Sequence, residues 1–164
     1  MATTATGNTI NPYDVLLGNK GFLKIDDIEI AELKDLEIKL STETKELGLM
    51  NSSTKGEVTT SYKGDISFEI NKIFSRFKPA ILKCAKTLTP FTFNLEATVY
   101  APSDSTKEER VYIANCWIKG DINLFALKAE NDFLTEKYEA GFKIEDCEME
   151  DIIDDGENWD TLSQ

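Results

Sequence analysis

Phe91-Thr-Phe-Asn-Leu-Glu-Ala-Thr-Val-Tyr100 alternates apolar and polar residues without a slip, so Phe91, Phe93, Leu95, Ala97 and Val99 share one face of a pleated strand. The same period of two dominates the chain on either side. Towards the C-terminus, Glu109–Ile118, Ile122–Glu130 and Thr135–Cys147 read as three further strands, with Lys119-Gly120-Asp121 as a tight turn; Ala101–Glu109 reads as a polar loop. Towards the N-terminus, Val58–Ile70 is a strand in which Gly64 marks a bend or bulge. Ile28–Leu40 is another, slipping at Ala31 and Leu33 as a bulge would. Gly21–Ile25 is a short strand closed by an Asp26-Asp27 turn. Only Asn71–Lys86 changes rhythm. There Ile73, Phe74, Phe77, Ile81, Leu82 and Ala85 recur at three and four, the stripe of an amphipathic helix over about residues 72–86. Pro79 marks either a kink in it or a late first turn.

The expected fold class is therefore mainly β with one flanking α-helix: an antiparallel β-barrel or sandwich of about seven strands, because the connections are short. Between the two long strands, Ser41–Glu57 is rich in Ser, Thr, Gly and Lys and reads as a long loop protruding as a hairpin. It carries Leu47, Leu49 and Met50 among polar residues, flanked by Lys45 and Lys55. Apolar side chains on a projecting hairpin are anchors for another copy or partner; the plainer reading is a loop folded back on its own barrel.

The 164 residues fit one domain, which buries about 70% of the surface of its unfolded chain and needs no disulfide or metal to fold. Three segments are expected: an N-terminal arm over 1–19, the β domain over 20–147, and an acidic tail over 148–164. The formal net charge of −12 is concentrated at the end. Nine acids and no base lie between Glu145 and Asp160, which leaves 21 acids against 18 bases in the first 144 residues. Such a run is usually a solvated, self-repelling tail and less often a contact arm. It is not a calcium loop: Ile153 stands where an oxygen ligand is required, and Leu162 stands where a bidentate glutamate is required.

Chemistry finds little support. The chain has no histidine, which excludes Ser-His-Asp and Cys-His nucleophile systems and His-based zinc sites. It has neither a phosphate-cradling P-loop nor a dinucleotide fingerprint, and no clustered bases for binding nucleic acid through its phosphates. Cys84, Cys116 and Cys147 are odd in number and widely spaced, as thiols of a reducing compartment are; Cys116, beside Trp117 in an apolar strand, reads as packing. No signal peptide is visible, and no stretch approaches 18 apolar residues. No catalytic residue, cofactor or metal is expected.

Gly21-x-Leu23-x-Ile25 followed by Ile30-Ala31-Glu32-Leu33-Lys34-Asp35-Leu36 resembles the opening of contractile-phage tail tube proteins of the PBSX-prophage type. The resemblance continues through Ser61-Tyr62-Lys63-Gly64, Ser75-Arg76-Phe77, Glu109-Arg110-Val111 and Gly141-Phe142-x-Ile144-Glu145-Asp146, in order over roughly residues 20–150. It implies a barrel-like subunit forming hexameric rings that stack into the hollow inner tube of a contractile tail. The implied place is the virion, after synthesis in the bacterial host cytoplasm. The implied partners are the tail sheath, tape measure, baseplate and tail-terminator proteins. DNA would pass through the lumen without specific binding, or a headless bacteriocin-like particle would puncture an envelope. The Ser41–Glu57 hairpin would reach a neighbouring ring. An acidic bore would repel phosphates, and the residues expected to line it are Glu29, Glu37, Asp65 and Glu69, on the polar faces of the long strands. Two alternatives are a secretion-system tube protein and a β-sandwich ligand- or carbohydrate-binding module. The latter would want several aromatics on one exposed face, whereas Trp159 stands alone in the acidic tail.

Overall fold

A computed structural model describes residues 15–102, 106–154 and 156. The described chain forms eight strands and one α-helix in the order β1 (Gly21–Ile25), β2 (Ile28–Glu29), β3 (Leu33–Leu47), β4 (Gly56–Asn71), α1 (Lys78–Thr87), β5 (Thr92–Tyr100), β6 (Glu108–Lys119), β7 (Thr135–Phe142) and β8 (Cys147–Asp151). All strands join one antiparallel sheet, ordered β2-β1-β5-β6-β7-β4-β3, with β8 pairing β6 on the edge opposite β5, alongside the short β7 contact. Among the described residues no helix is long and apolar enough to cross a membrane.

Alternation decides which face is inside. Ile66, Phe68 and Ile70 of β4 and Tyr138, Ala140 and Phe142 of β7 point inward, joined by Leu23, Ile25, Phe93, Leu95 and Ile113. The sheet is rolled around this core but not closed. Its two edges, β2 and β3, are consecutive in the chain and separated only by Ile30–Glu32. They leave a cleft of about 800 Å³ between them, lined by Phe22, Ile30, Leu36, Ile38, Ala97 and Val111.

Several expectations are corrected. Ile28–Leu40 is not one bulged strand: the chain pairs with β1 as far as Glu29, turns the corner, and starts afresh at Leu33 against β4. Residues 41–57 are not a loop. Both legs of the hairpin continue in register to Leu47 opposite Gly56, so the connection is only Gly48–Lys55. The pairing persists without a core because polar side chains bridge it. Ser61 donates to the Glu43 carboxylate at 2.8 Å, and Thr60 donates to the Glu43 carbonyl at 3.1 Å. The register between β3 and β4 shifts twice, between Leu33 and Asp35, where the slip at Leu33 was expected, and between Glu43 and Thr44; none occurs at Gly64. Gly64 is small for another reason: the Phe142 ring lies over it, and a Cβ would meet that ring at 2.5 Å.

The helix begins at Lys78, with Pro79 in its first turn, and not at about residue 72. Pro79 lacks the N–H that a first turn leaves unused, so it starts the helix and does not kink it. Ile73 and Phe74 lie outside it and are exposed. Ile122–Glu130 is not a strand either; with no neighbouring strand to pair with, Gly120–Leu134 runs as an irregular connection. Lastly, the acidic run does not begin outside the sheet, since Glu148–Asp151 belong to β8, where Arg110 faces Asp151. Most of the expected N-terminal arm, and the acidic tail from Glu157 on, lie outside the described residues.

Candidate assembly surfaces

The hairpin is the largest element that the core does not explain. From Leu40 and Gly64 outward every residue but Gly64 itself is exposed on both faces, including Tyr62 and Val58. Its tip collects the expected anchors: Leu47 ends β3, Leu49 and Met50 lie in the connection, and Met50 is 94% exposed. Lys45 stands opposite Val58, and Lys55 approaches Glu46 at 4.0 Å. An apolar tip carried on polar legs can bury little against its own domain.

The expected bore acids fall into two groups. Glu37, Asp65 and Glu69 lie on the outer face of β3 and β4, as the pairings Glu37↔Ser67, Lys39↔Asp65 and Asp35↔Glu69 require. Lys137 and Glu139 of β7 and Lys119 of β6 continue that face. Acids and lysines interleave across it: Glu37 pairs Lys39 at 3.2 Å, Glu69 pairs Lys34 at 3.8 Å, and Asp65 binds Lys119 directly. The Lys119 ammonium holds the Asp65 carboxyl below the usual carboxylate range. Glu29 stands apart, on β2 at the rim of the cleft.

Two carboxylates whose burial the sequence did not announce, Glu32 and Glu136, fasten the helix end of the molecule. Arg76 donates to Glu32, with Nη2 at 2.8 Å from Oε2, and the guanidinium draws the Glu32 carboxyl downward. Glu136, on the inner face of β7, receives Lys72 at 3.2 Å, Lys78, and the Tyr138 hydroxyl at 2.7 Å. Burial alone would raise the Glu136 carboxyl; the donors from Lys78, Tyr138 and Lys72 outweigh it and leave it below the usual range. These contacts position the Gly120–Leu134 connection, since Lys78 also donates to the Leu124 carbonyl at 3.0 Å and the Lys72 N–H to that of Leu134 at 2.9 Å. That connection displays Leu124, Phe125, Leu127 and Phe133, the last 87% exposed. It is a second apolar projection that period-two reading hid by presenting it as a strand. Cys116 is packed as expected, and burial pushes its thiol up to about 12, so it is no nucleophile at neutral pH.

Comparison with known proteins agrees with this architecture. A family model described as phage tail tube protein matches residues 8–151. Among solved structures, a chain of the anti-feeding prophage cap, the tube-terminating cap, aligns with TM-score 0.64 at 11% identity, covering 92% of this chain and 99% of that one. A chain from the sheath–tube complex of an extracellular contractile injection system in the extended state gives TM-score 0.61 at 8% identity, covering 93% and 99%. One from the virion of a native gene transfer agent particle gives 0.52 at 14%, covering 79% and 95%. Identities this low speak for the fold alone. No curated protein sequence matches.

Proposed function

The chain belongs to the phage tail tube protein family, and from that premise we propose that its copies form hexameric rings stacked into the hollow inner tube of a contractile tail, a structural and not a catalytic role. The observation that carries this reading is the β3–β4 hairpin. Its paired legs extend well past the core and end in Leu47, Leu49 and Met50, which gain burial only against another molecule. The sheet edges support it too: β3 and β8 each have one long side unpaired among the described residues, and a ring of copies completes such edges.

In this reading the tube sits in the virion inside a sheath, between baseplate and terminator, and forms around a tape measure protein after synthesis in the host cytoplasm. The outer face of β3, β4, β7 and β6 is the one proposed to line the bore. Lys39 and Lys119 on it are already engaged by Glu37 and Asp65, which leaves fewer free cations to take the place of the counterions on a passing duplex. DNA then slides without being held.

Negative-stain electron microscopy of the purified protein, or of particles containing it, is expected to show stacked six-fold rings with an open channel. Compact solitary particles at high concentration, together with absence from assembled tails, would refute the proposal. Genome protection inside intact particles separates a DNA conduit from a secretion-type tube.

A further inference from the structure

The molecule has two unlike ends. β8 runs antiparallel to β6, with Cys147 opposite Ile113 and Asp151 opposite Arg110, so the chain leaves the sheet heading outward past Arg110. The hairpin points the same way, because β4 read from Gly64 back to Gly56 continues beyond Phe142 of β7. The helix lies at the other end. Lys78 at its start meets Glu136 and Leu124, and Phe91, just after it, accepts a hydrogen bond from the Ile118 N–H at 3.2 Å. Arg110 and Ile118 are about eight residues apart on β6, roughly 25 Å of strand.

Charge divides along the same axis. Residues 71–87 contain Lys72, Arg76, Lys78, Lys83 and Lys86 and no acid. Glu32 and Glu136 occupy the first three. Lys83 and Lys86 have no carboxylate partner among the described residues, and they stand on the exposed face of α1 beside Leu82 and Leu88. Leu88, just past the helix in a left-handed conformation, is 93% exposed. At the opposite end, residues 148–154 hold four acids and no base, with Ile152 and Ile153 exposed among them, and the sequence continues with Asp155, Glu157 and Asp160.

We propose that the acidic C-terminal segment of one copy docks on the Leu82–Lys83–Lys86–Leu88 face of a second copy, an inference that rests on the tube reading above. The isoleucines cover the exposed leucines, and the carboxylates meet Lys83 and Lys86, which sets the register. A copy's own segment leaves the sheet pointing away from its own helix and would have to reverse to reach it. Complementary surfaces at opposite ends make a heterologous contact, and such a contact repeats head to tail.

Equal amounts of 14N- and 15N-labelled full-length chain, mixed, assembled and treated with a carbodiimide that joins lysine to carboxylate at zero length, test the contact. Mass spectrometry is expected to find mixed-isotope peptides linking Lys83 or Lys86 to residues 148–160. Links within one isotope only would assign the segment to its own helix and overturn the proposal, as would the absence of links to either lysine. Charge exchange gives a second reading. Lys83→Glu with Lys86→Glu should abolish tubes while the thermal unfolding midpoint holds, and adding Asp154→Lys with Glu157→Lys should restore them. Tubes that survive the lysine reversal, or fail to return with the exchange, overturn it. If the unaltered chain forms no rings at all, the tube reading fails on its own, whereas mixed-isotope links in solution still report on this contact.

Discussion

Arg76 sits at φ 33°, in the left-handed region that costs a residue with a Cβ on the order of 1–2 kcal/mol. The bidentate grip on Glu32, whose side chain is 1% exposed, offsets that strain and ties the segment before the helix to the corner between β2 and β3. Arg76→Ala leaves a buried carboxylate without its partner, and should lower stability by about 3 kcal/mol in urea unfolding; Arg76→Lys should recover only part of it, because the fork geometry is lost. The pH dependence has a definite sign. Glu32 and Glu136 both titrate below the ordinary glutamate value of 4.5. Their contribution is therefore complete above that value and drains away as the pH falls through their lowered folded values. The wild-type unfolding midpoint should drop on acidification below about pH 4.5, and the drop should be shallower in Glu32→Gln, which has one such group fewer. An equal slope in both would contradict the assignment.

At the scale of elements, the hairpin is separable from the domain that carries it. Leu47 faces Gly56 across the ladder, so replacing Gly48–Lys55 with a two-residue Asn-Gly turn keeps the register. The shortened chain should unfold within a few degrees of the wild type by circular dichroism and yet fail to form tubes; long tubes from it would dismiss the hairpin as an assembly arm. Legibility varied between elements for physical reasons. β1, β5 and the Asp26-Asp27 turn were readable because one face of each strand is buried and alternation records that burial; both aspartates indeed take positive φ. The outer hairpin legs bury neither face, so they carry no alternation to read. Ile122–Glu130 alternates without having a partner strand. In Thr135–Phe142 the inward residues are Glu136, Tyr138, Ala140 and Phe142. A glutamate at an inward position reads as an exposed one until Lys72 and Lys78, distant in sequence, are seen to meet it. The exposure of the tip residues and the outward parity of Glu37, Asp65 and Glu69 were legible because exposure and strand parity are local properties.

For the whole molecule, the proposed bore is a property of the sheet's outer face and not of the net charge, most of which lies in the C-terminal run. Glu37→Lys with Glu69→Lys changes two positions that support no core contact. Tubes should still form, and DNA release should slow, most strongly at low salt, because new unpaired cations on the wall attract phosphates. Ejection kinetics unchanged at low salt would show that this face does not meet the duplex. The two unlike ends also give an assembled stack a direction, so growth at its two extremities need not proceed at the same rate.

The legs beyond Leu40 and Gly64 touch no part of the core. Two residues added to each leg would lengthen the arm by about 7 Å and preserve its pleat, while every buried contact of the domain stayed as it is. In the proposed tube, spacing between neighbours is then written in a stretch that folding leaves unconstrained, and the pitch of such a filament can be retuned without redesigning the body that forms it.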